Sequence, residues 1–542
     1  VNRCSVKLWN TIILGVAILS AALGGGLGRT ESTQGISRWV RLDPIEAETP
    51  IPIGQQKQLL VDEEMLCDWW NVRRVQAQVK KHPSNPMLKP DQPWEIDPLN
   101  TPGLYPYSII YDPEDALYKL WYRAGEFVGF ATSKDGLKWI KPKLGLIEHK
   151  GTKDNNLCRL EPFGKPIPGR LHLIPDTRSR SAERKFQAIG IFPYHEDGTY
   201  YTGWSGIAFS KDGTTWHMAE GGLREGAGGG EPSCVWDERL RRYVLFHRQL
   251  LENALSSRYR NTQGRYVVRQ ESADLVNWSP RRTAVKPMGT RWPEVEAMIV
   301  FRHEGIYFGL AHMLDSEVRG EIEIHLLTSR DGYHWQHPFP DEAFIPRGTR
   351  GEFDEMMTYL GHLVLRGDEM RFYYAGSRYP HSKPAAPIVD DGGYMKYSPH
   401  TPEGKGRYEV RASQLALATT PLDRFIGLRM DEPVGGFLTR PILVEGDELY
   451  VNGNVDRELR VEVVNPTGRQ IDIGQSRPHG HYISCTEEVF PGFSLQDCEA
   501  IAGDSLRHKV HWKGGSLGRF KGQGVRLRFA ARMAEIYAFQ IQ

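Results

Sequence analysis

Two glutamates stand at equivalent places in the chain. Glu231 lies six positions before Asp237 and Glu296 six before Arg302, the residues at which two apolar stretches turn back on themselves. Glu294 has the parity of Glu296, so a strand would show both on one face. Two carboxyls brought into one cavity from neighbouring units suit glycosidic-bond hydrolysis. One stays protonated to release the leaving oxygen, and the other is ionised as base or nucleophile. Burial and mutual repulsion are expected to raise one of the two pKa values. The competing reading is that each Glu pairs with an inner-strand Arg and only joins units.

Further groups fall at comparable places. Asp354, within Glu352-Phe353-Asp354-Glu355, precedes another apolar stretch and is a third candidate acid or a sugar-hydroxyl acceptor, weighed equally against a solvated role. Asp62 and Glu63 follow a short apolar run and are expected near the same mouth. The far ends of the second stretches carry Arg123, His247, Arg248 and His312. Together they would favour an anionic ligand, either a uronate or sulfated glycan or inorganic phosphate. Alternatively they pair with Glu231, Glu296 and Asp354 and leave a neutral pocket. Tyr107, Trp121 and Trp292 are candidate stacking platforms, with Trp121 better suited to a core.

The elements that position these groups are announced by a recurring phrase. Ser133-Lys134-Asp135-Gly136-Leu137-Lys138-Trp139 returns as Ser210-Lys211-Asp212-Gly213-Thr214-Thr215-Trp216. It returns again as Ser272-Ala273-Asp274-Leu275-Val276-Asn277-Trp278 and Ser329-Arg330-Asp331-Gly332-Tyr333-His334-Trp335, with a degenerate copy at 419–425. A strand end, a tight turn and an aromatic repeated at blade length are a structural repeat.

Ahead of each copy stands a hairpin: 107–111 with 117–123, 171–174 with 186–192, 233–236 with 243–248, 297–301 with 306–312, and 362–365 with 370–375. First strands of near-continuous apolar character are buried on both faces, as a propeller's innermost strands must be. The fold class expected is all-β: a five-bladed β-propeller over 57–430, followed by a C-terminal β-sandwich over 431–542. Residues 58–61 are expected to close the ring. The sandwich is read from alternating runs at 437–443, 448–451, 459–464, 508–512 and 525–529, and is given a packing or accessory glycan-binding role.

Charge is balanced, 68 Lys+Arg against 67 Asp+Glu, which gives no support to a nucleic-acid partner. Arg3 and Lys7, then an apolar run from Leu8 to Leu23 and small residues, predict a secretory signal over 1–28 and a linker over 29–56. A secreted or periplasmic protein follows, free of the membrane once cleaved, with an uncleaved anchor as the alternative. Five cysteines beyond the signal make no disulfide framework, and only Cys485 with Cys498 is offered as a pair. No zinc-type spacing is present, so no cofactor is expected, with room left for a Ca²⁺ in the axial channel. Oligomeric state is not readable.

A propeller followed by a β-sandwich resembles the glycoside hydrolases of family 32, the invertase and inulinase group, and the propeller alone resembles families 43, 68 and 130. That resemblance implies a carbohydrate substrate at the axial mouth. Family 32 carries its nucleophile in Trp-Met-Asn-Asp-Pro-Asn, a stabiliser in Arg-Asp-Pro and its acid in Glu-Cys. None of these phrases stands here, and Tyr105-Pro106-Tyr107 occupies the place of the nucleophile. The functional expectations, in order, are a glycoside hydrolase using Glu231 and Glu296, a glycoside phosphorylase, and a non-catalytic glycan-binding propeller.

Overall fold

The computed structural model describes residues 49–95, 104–175, 181–191, 205–219, 231–250, 264–287, 291–316, 318–381, 413–466, 470–473, 483–486 and 488–542. The expected signal, most of the expected linker and Phe192 lie outside them. Two compact units are present. In the smaller, residues 1–47 and 467–488, the described part is an antiparallel pair, Gln470–Ile473 with Ile483–Thr486. All else belongs to the larger. No described helix is long and apolar enough to cross a membrane.

Among the described residues the larger unit is all-β, with helix confined to two short 3-10 turns. Each predicted hairpin forms. The first sheet runs Pro106–Asp112, Leu117–Ala124, Phe127–Ser133. The second runs Leu171–Leu173, Phe186–Ile191, Ser205–Ser210, Thr215–Met218, and is extended by a parallel pairing to Arg159–Glu161. The third is Ser233–Asp237, Arg242–Leu250, Arg265–Ser272, Arg282–Val285. A seven-stranded sheet carries two further hairpins, Glu294–His303 with Ile306–Asp315 and Met357–Arg366 with Glu369–Ser377, linked through one parallel bridge from Ile322 to Met357.

The first strands follow one another around an axis. Pro106–Asp112 contacts Leu171–Leu173, which contacts Ser233–Asp237, then Glu294–His303, then Met357–Arg366, which returns to Pro106–Asp112. This is the propeller arrangement. Apolar cores fill the wedges between neighbouring sheets, for example Trp121, Phe186 and Trp216 between the first and second. Tyr118, Tyr373 and Leu417 do the same between the last hairpin and the first sheet.

The recurring phrase is a polar cradle. The Ser hydroxyl accepts the Gly N–H in three copies (Gly136 to Ser133 2.9 Å, Gly213 to Ser210 2.8 Å, Gly332 to Ser329 2.8 Å). The Asp carboxylate accepts the next two amide N–H groups, as Asp135 does from Leu137 and Lys138. The previous sheet docks on the turn's carbonyls: Trp121 Nε1 donates to Gly213, Arg269 to Asp331, and Tyr373 to Gly136. Gly213 sits at φ +84°, and a Cβ there would lie 2.7 Å from the Trp121 ring, so both backbone and space demand glycine. These residues build the propeller.

That cradle has an acid signature. The amide donors hold Asp135 and Asp274 below the ordinary carboxylate range; at Asp212 and Asp331 burial pushes upward, and the same donors override it. Groups depressed in the folded state stabilise it above the unfolded Asp value of about 3.9, and that contribution is lost as pH falls. The unfolding temperature, followed by Trp fluorescence, is expected to drop steadily from about pH 4 to pH 2. Indifference to pH across that window would contradict it.

The C-terminal region differs from the expected runs. Residues 448–451 and 459–464 belong to one strand, Leu449–Val464, paired along its length with Gly524–Ile541. The run at 508–512 begins within the strand Ile501–Lys509, which pairs with Leu449–Val464. Register shifts between Val455 and Glu458, and Met533 at φ +46°, mark where the long pair bends around a core of Phe437, Val461, Phe493 and Phe529. The N-terminal strands join this ten-stranded sheet. Gln58–Leu59 pairs with Ala538 and Phe539, Leu66–Trp70 with Gly435–Thr439, and Val72–Gln76 with Ile426–Met430. Residues 58–61 therefore do not close the ring. Lys80–Lys81 does, pairing with Thr419 and Ala418 of the last hairpin's third strand. Cys158 and Cys498 are free thiols.

Candidate functional site

In each sheet the start of the first strand meets the end of the second, and at that end of the axis the charged groups gather. Glu231 precedes Ser233–Asp237. Its carboxylate takes the Arg170 guanidinium at 3.0 Å and His172 Nε2 at 2.7 Å, both from the inner edge of the second sheet. Burial pushes the Glu231 pKa up, but Arg170, His172 and Arg248 outweigh it and bring it to about 2.

Glu296 sits at a register shift, where Val295 pairs with Met313 and Ala297 with His312. The bulge turns its carboxylate toward the third sheet, where Arg248 and Arg265 pair with it, Arg265 Nε at 2.6 Å. His381 stands 3.6 Å away. Burial again pushes upward, while His381, Arg248 and Arg265 leave the Glu296 carboxyl below its usual range. The expectation that one carboxyl is held protonated is therefore corrected. Each is clamped by cations, and both rest ionised.

The two carboxylates share one field. Arg170 and Arg248 each respond to both Glu231 and Glu296. So does His312, whose pKa burial lowers to about 4. His312 Nε2 accepts the Leu360 N–H at 3.0 Å, which places the ring proton on Nδ1. That Nδ1, and the Nδ1 of His172, are buried without a hydrogen-bond partner among the described residues.

Of the residues singled out in the sequence, Glu231, Glu296, Glu294, Arg248, His312 and Tyr107 meet here. Glu294 is fully buried and pairs with Arg265, and the Tyr107 ring lies edge-on to His172 at 5.4 Å. Arg123 is half-buried beside them, its Nε donating to the Gly125 carbonyl at 2.9 Å and its guanidinium 5.4 Å from the Tyr105 ring centre.

Others are placed elsewhere. Asp354 is buried against Lys81 at 2.7 Å and the Tyr374 hydroxyl at 2.9 Å, so it clasps the closing strand. Asp62 receives the Arg330 guanidinium through two bonds of 2.8 and 2.9 Å, and Glu63 faces Arg74 at 3.7 Å. His247 bonds Gln270 at 2.9 Å inside the third sheet, because adjacent strand residues point to opposite faces and Arg248 takes the mouth. Trp121 is core, and Trp292 is buried edge-on to His325. The His303, Glu304 and Asp423 group, whose donor atoms lie within 4.8 Å of one another, is at the opposite end of the Glu294–His303 strand, with Lys57 already on Asp423 at 2.7 Å.

Sequence reasoning passed over Arg170, His172, Arg265 and His381 as site residues. Arg170 carried a signal, since it holds in the second hairpin the place of Glu231 in the third, and His172 shares its parity. Arg265 opens a third strand and His381 follows a second one, outside the positions compared.

No protein-family model matches the chain, and no curated protein matches it. Solved structures are similar at low identity. A thermostable family-43 glycoside hydrolase is 13% identical, with TM-score 0.37, covering 52% of this chain and 86% of its own. A structure from work on family-130 mannoside phosphorylases and β-1,2-mannoside hydrolases is 13% identical, with TM-score 0.35, covering 58% and 96%. An N-acetylgalactosamine deacetylase from F. plautii, bound to blood group B trisaccharide, is 14% identical, with TM-score 0.38, covering 68% and 95%. Likeness at this level carries no argument about activity.

Proposed function

We propose that the protein cleaves a glycosidic bond at the axial mouth of a five-bladed propeller, exported by the signal read at residues 1–28. The observation supporting this is the pair Glu231 and Glu296, brought from successive sheets into one frame of Arg170, His172, Arg248 and Arg265. Burying carboxylates and guanidiniums at an axis costs free energy that an apolar lining would avoid. Such clusters of perturbed acids are typical of functional sites.

Ionised, the carboxylates stabilise the positive charge that develops on the sugar ring as the bond breaks. Burial is the largest influence on Glu296, opposed by His381, Arg248 and Arg265. A substrate that draws these cations onto its own oxygens lets burial prevail, and Glu296 then takes up the proton it delivers to the leaving oxygen. Glu231, held more firmly, stays the ionised partner.

A second reading, glycan binding without turnover, is favoured by the resting ionisation of both carboxyls. Incubation of the full chain with a glycan panel, with and without inorganic phosphate, separates the cases. New reducing ends without phosphate support hydrolysis. Sugar 1-phosphate formed only with phosphate moves the assignment to phosphorolysis. Binding with neither product leaves the glycan-binding reading.

A further inference from the structure

The mouth gathers the guanidiniums of Arg123, Arg170, Arg248 and Arg265. Arg170 is taken by Glu231, Arg248 by Glu296, and Arg265 by Glu294 and Glu296. Arg123 differs from them. Among the described residues its Nη1 and Nη2 have no hydrogen-bond acceptor and no carboxylate within ion-pair distance, and Nε alone is used, on the Gly125 carbonyl. It is held nonetheless. Its backbone N–H donates to the Tyr105 carbonyl at 2.9 Å, and the Tyr105 ring lies under the guanidinium. Tyr105 lies two residues before Tyr107, whose ring meets that of His172, the partner of Glu231, so Arg123 borders the carboxylate cluster.

A half-buried guanidinium has lost part of its hydration, and a stacked one has little rotamer freedom left to lose. Its two open N–H groups form the fork that matches two oxygens of a carboxylate, sulfate or phosphate. Among the described residues the three paired arginines face Glu231, Glu294 and Glu296, which leaves Arg123 as the guanidinium there with no carboxylate at ion-pair distance.

We propose that the ligand of this mouth bears an oxyanion and that Arg123 is its anchor, an inference that rests on the axial mouth being the carbohydrate site. The oxyanion belongs either to the sugar, as a uronate or sulfate ester, or to inorganic phosphate seated beside a neutral sugar.

The test is calorimetry on the full chain with glucuronate, glucose and inorganic phosphate, for the wild type, Arg123→Gln and Arg123→Lys. Glucuronate is expected to bind at least about tenfold more tightly than glucose. Arg123→Gln should erase that difference and Arg123→Lys restore part of it, since a lysine keeps the charge without the fork. If the anion comes from phosphate, phosphate binds alone and strengthens glucose binding in an Arg123-dependent way. Without an ion pair to lose, Arg123→Gln should still fold and melt cooperatively, so lost binding reads the anchor. Equal binding of glucose and glucuronate with no phosphate effect, or an acidic advantage that survives Arg123→Gln, would overturn the anchor and leave the carbohydrate site standing. Absence of binding by all three probes would overturn both.

Discussion

Glu231→Gln is expected to lower turnover on the order of 10³-fold, the scale on which acid–base and electrostatic groups act. The substitution keeps the side chain's shape and removes its charge. Arg170 and His172 then face an amide, and the sugar ring loses the carboxylate that would stabilise its developing charge. Stability moves as well. The Glu231 carboxyl is depressed to about 2 in the folded protein, so its contribution is complete above the unfolded Glu value of about 4.3 and fades as pH falls. At neutral pH the variant therefore melts earlier than the wild type, and the gap between them narrows as pH falls toward 2. Initial rates at saturating glycan, with melting curves across that range, check both halves. Full activity in a folded variant would remove Glu231 from the chemistry.

Asp354→Asn should act on the fold instead, at a cost of about 1–3 kcal/mol, because the buried carboxylate loses its charge while the Lys81 it strands is 27% exposed. Asp354 is 1% exposed and receives both Lys81 and the Tyr374 hydroxyl. A Cβ on Gly376 would lie 2.6 Å from its own, so the clasp is wedged in place. Denaturant unfolding reads the loss. Adding Lys81→Met to Asp354→Asn should recover part of it, because the stranded ammonium is gone. Sugar binding to the folded fraction should be unchanged. A stable Asp354→Asn protein with lost activity would return Asp354 to the catalytic set.

The contrast between these residues shows what the sequence could convey. The turn phrase is local chemistry: Ser133, Asp135 and Gly136 satisfy one another within a few residues, so each copy announces itself. The hairpins ahead of it are equally local, and counting back from their turns led to Glu231 and Glu296. Pairings between distant segments have no such mark. Lys81 lies 273 residues from Asp354, and Lys80–Lys81 is a polar two-residue strand without periodicity. The apolar segment at 58–61 is better suited by pattern to closing the ring, yet its backbone pairs with Gly524–Ile541, and Leu60 is buried in the C-terminal core while Leu59 packs with Phe308 and Phe372 of the last two hairpins.

Electrostatics of the site was legible in part. Arg248 beside Glu296 was foreseen as the alternative to an anionic pocket, whereas a raised carboxyl pKa was expected from two buried acids considered alone. Burial does push both up, and the arginines reverse the outcome. The bulge at Glu296 has no signature in the alternation around it, and strand parity alone separates Arg248 at the mouth from His247 inside its sheet.

The most direct test is a crystal structure of the full chain soaked with the tightest-binding sugar of the panel. The expected result is density bounded by Arg170, Glu231, Arg248 and Glu296, with a ligand hydroxyl within hydrogen-bond distance of His312 Nδ1. Density that leaves this mouth empty and lies against the C-terminal sheet instead would contradict the assignment of the axial mouth as the carbohydrate site.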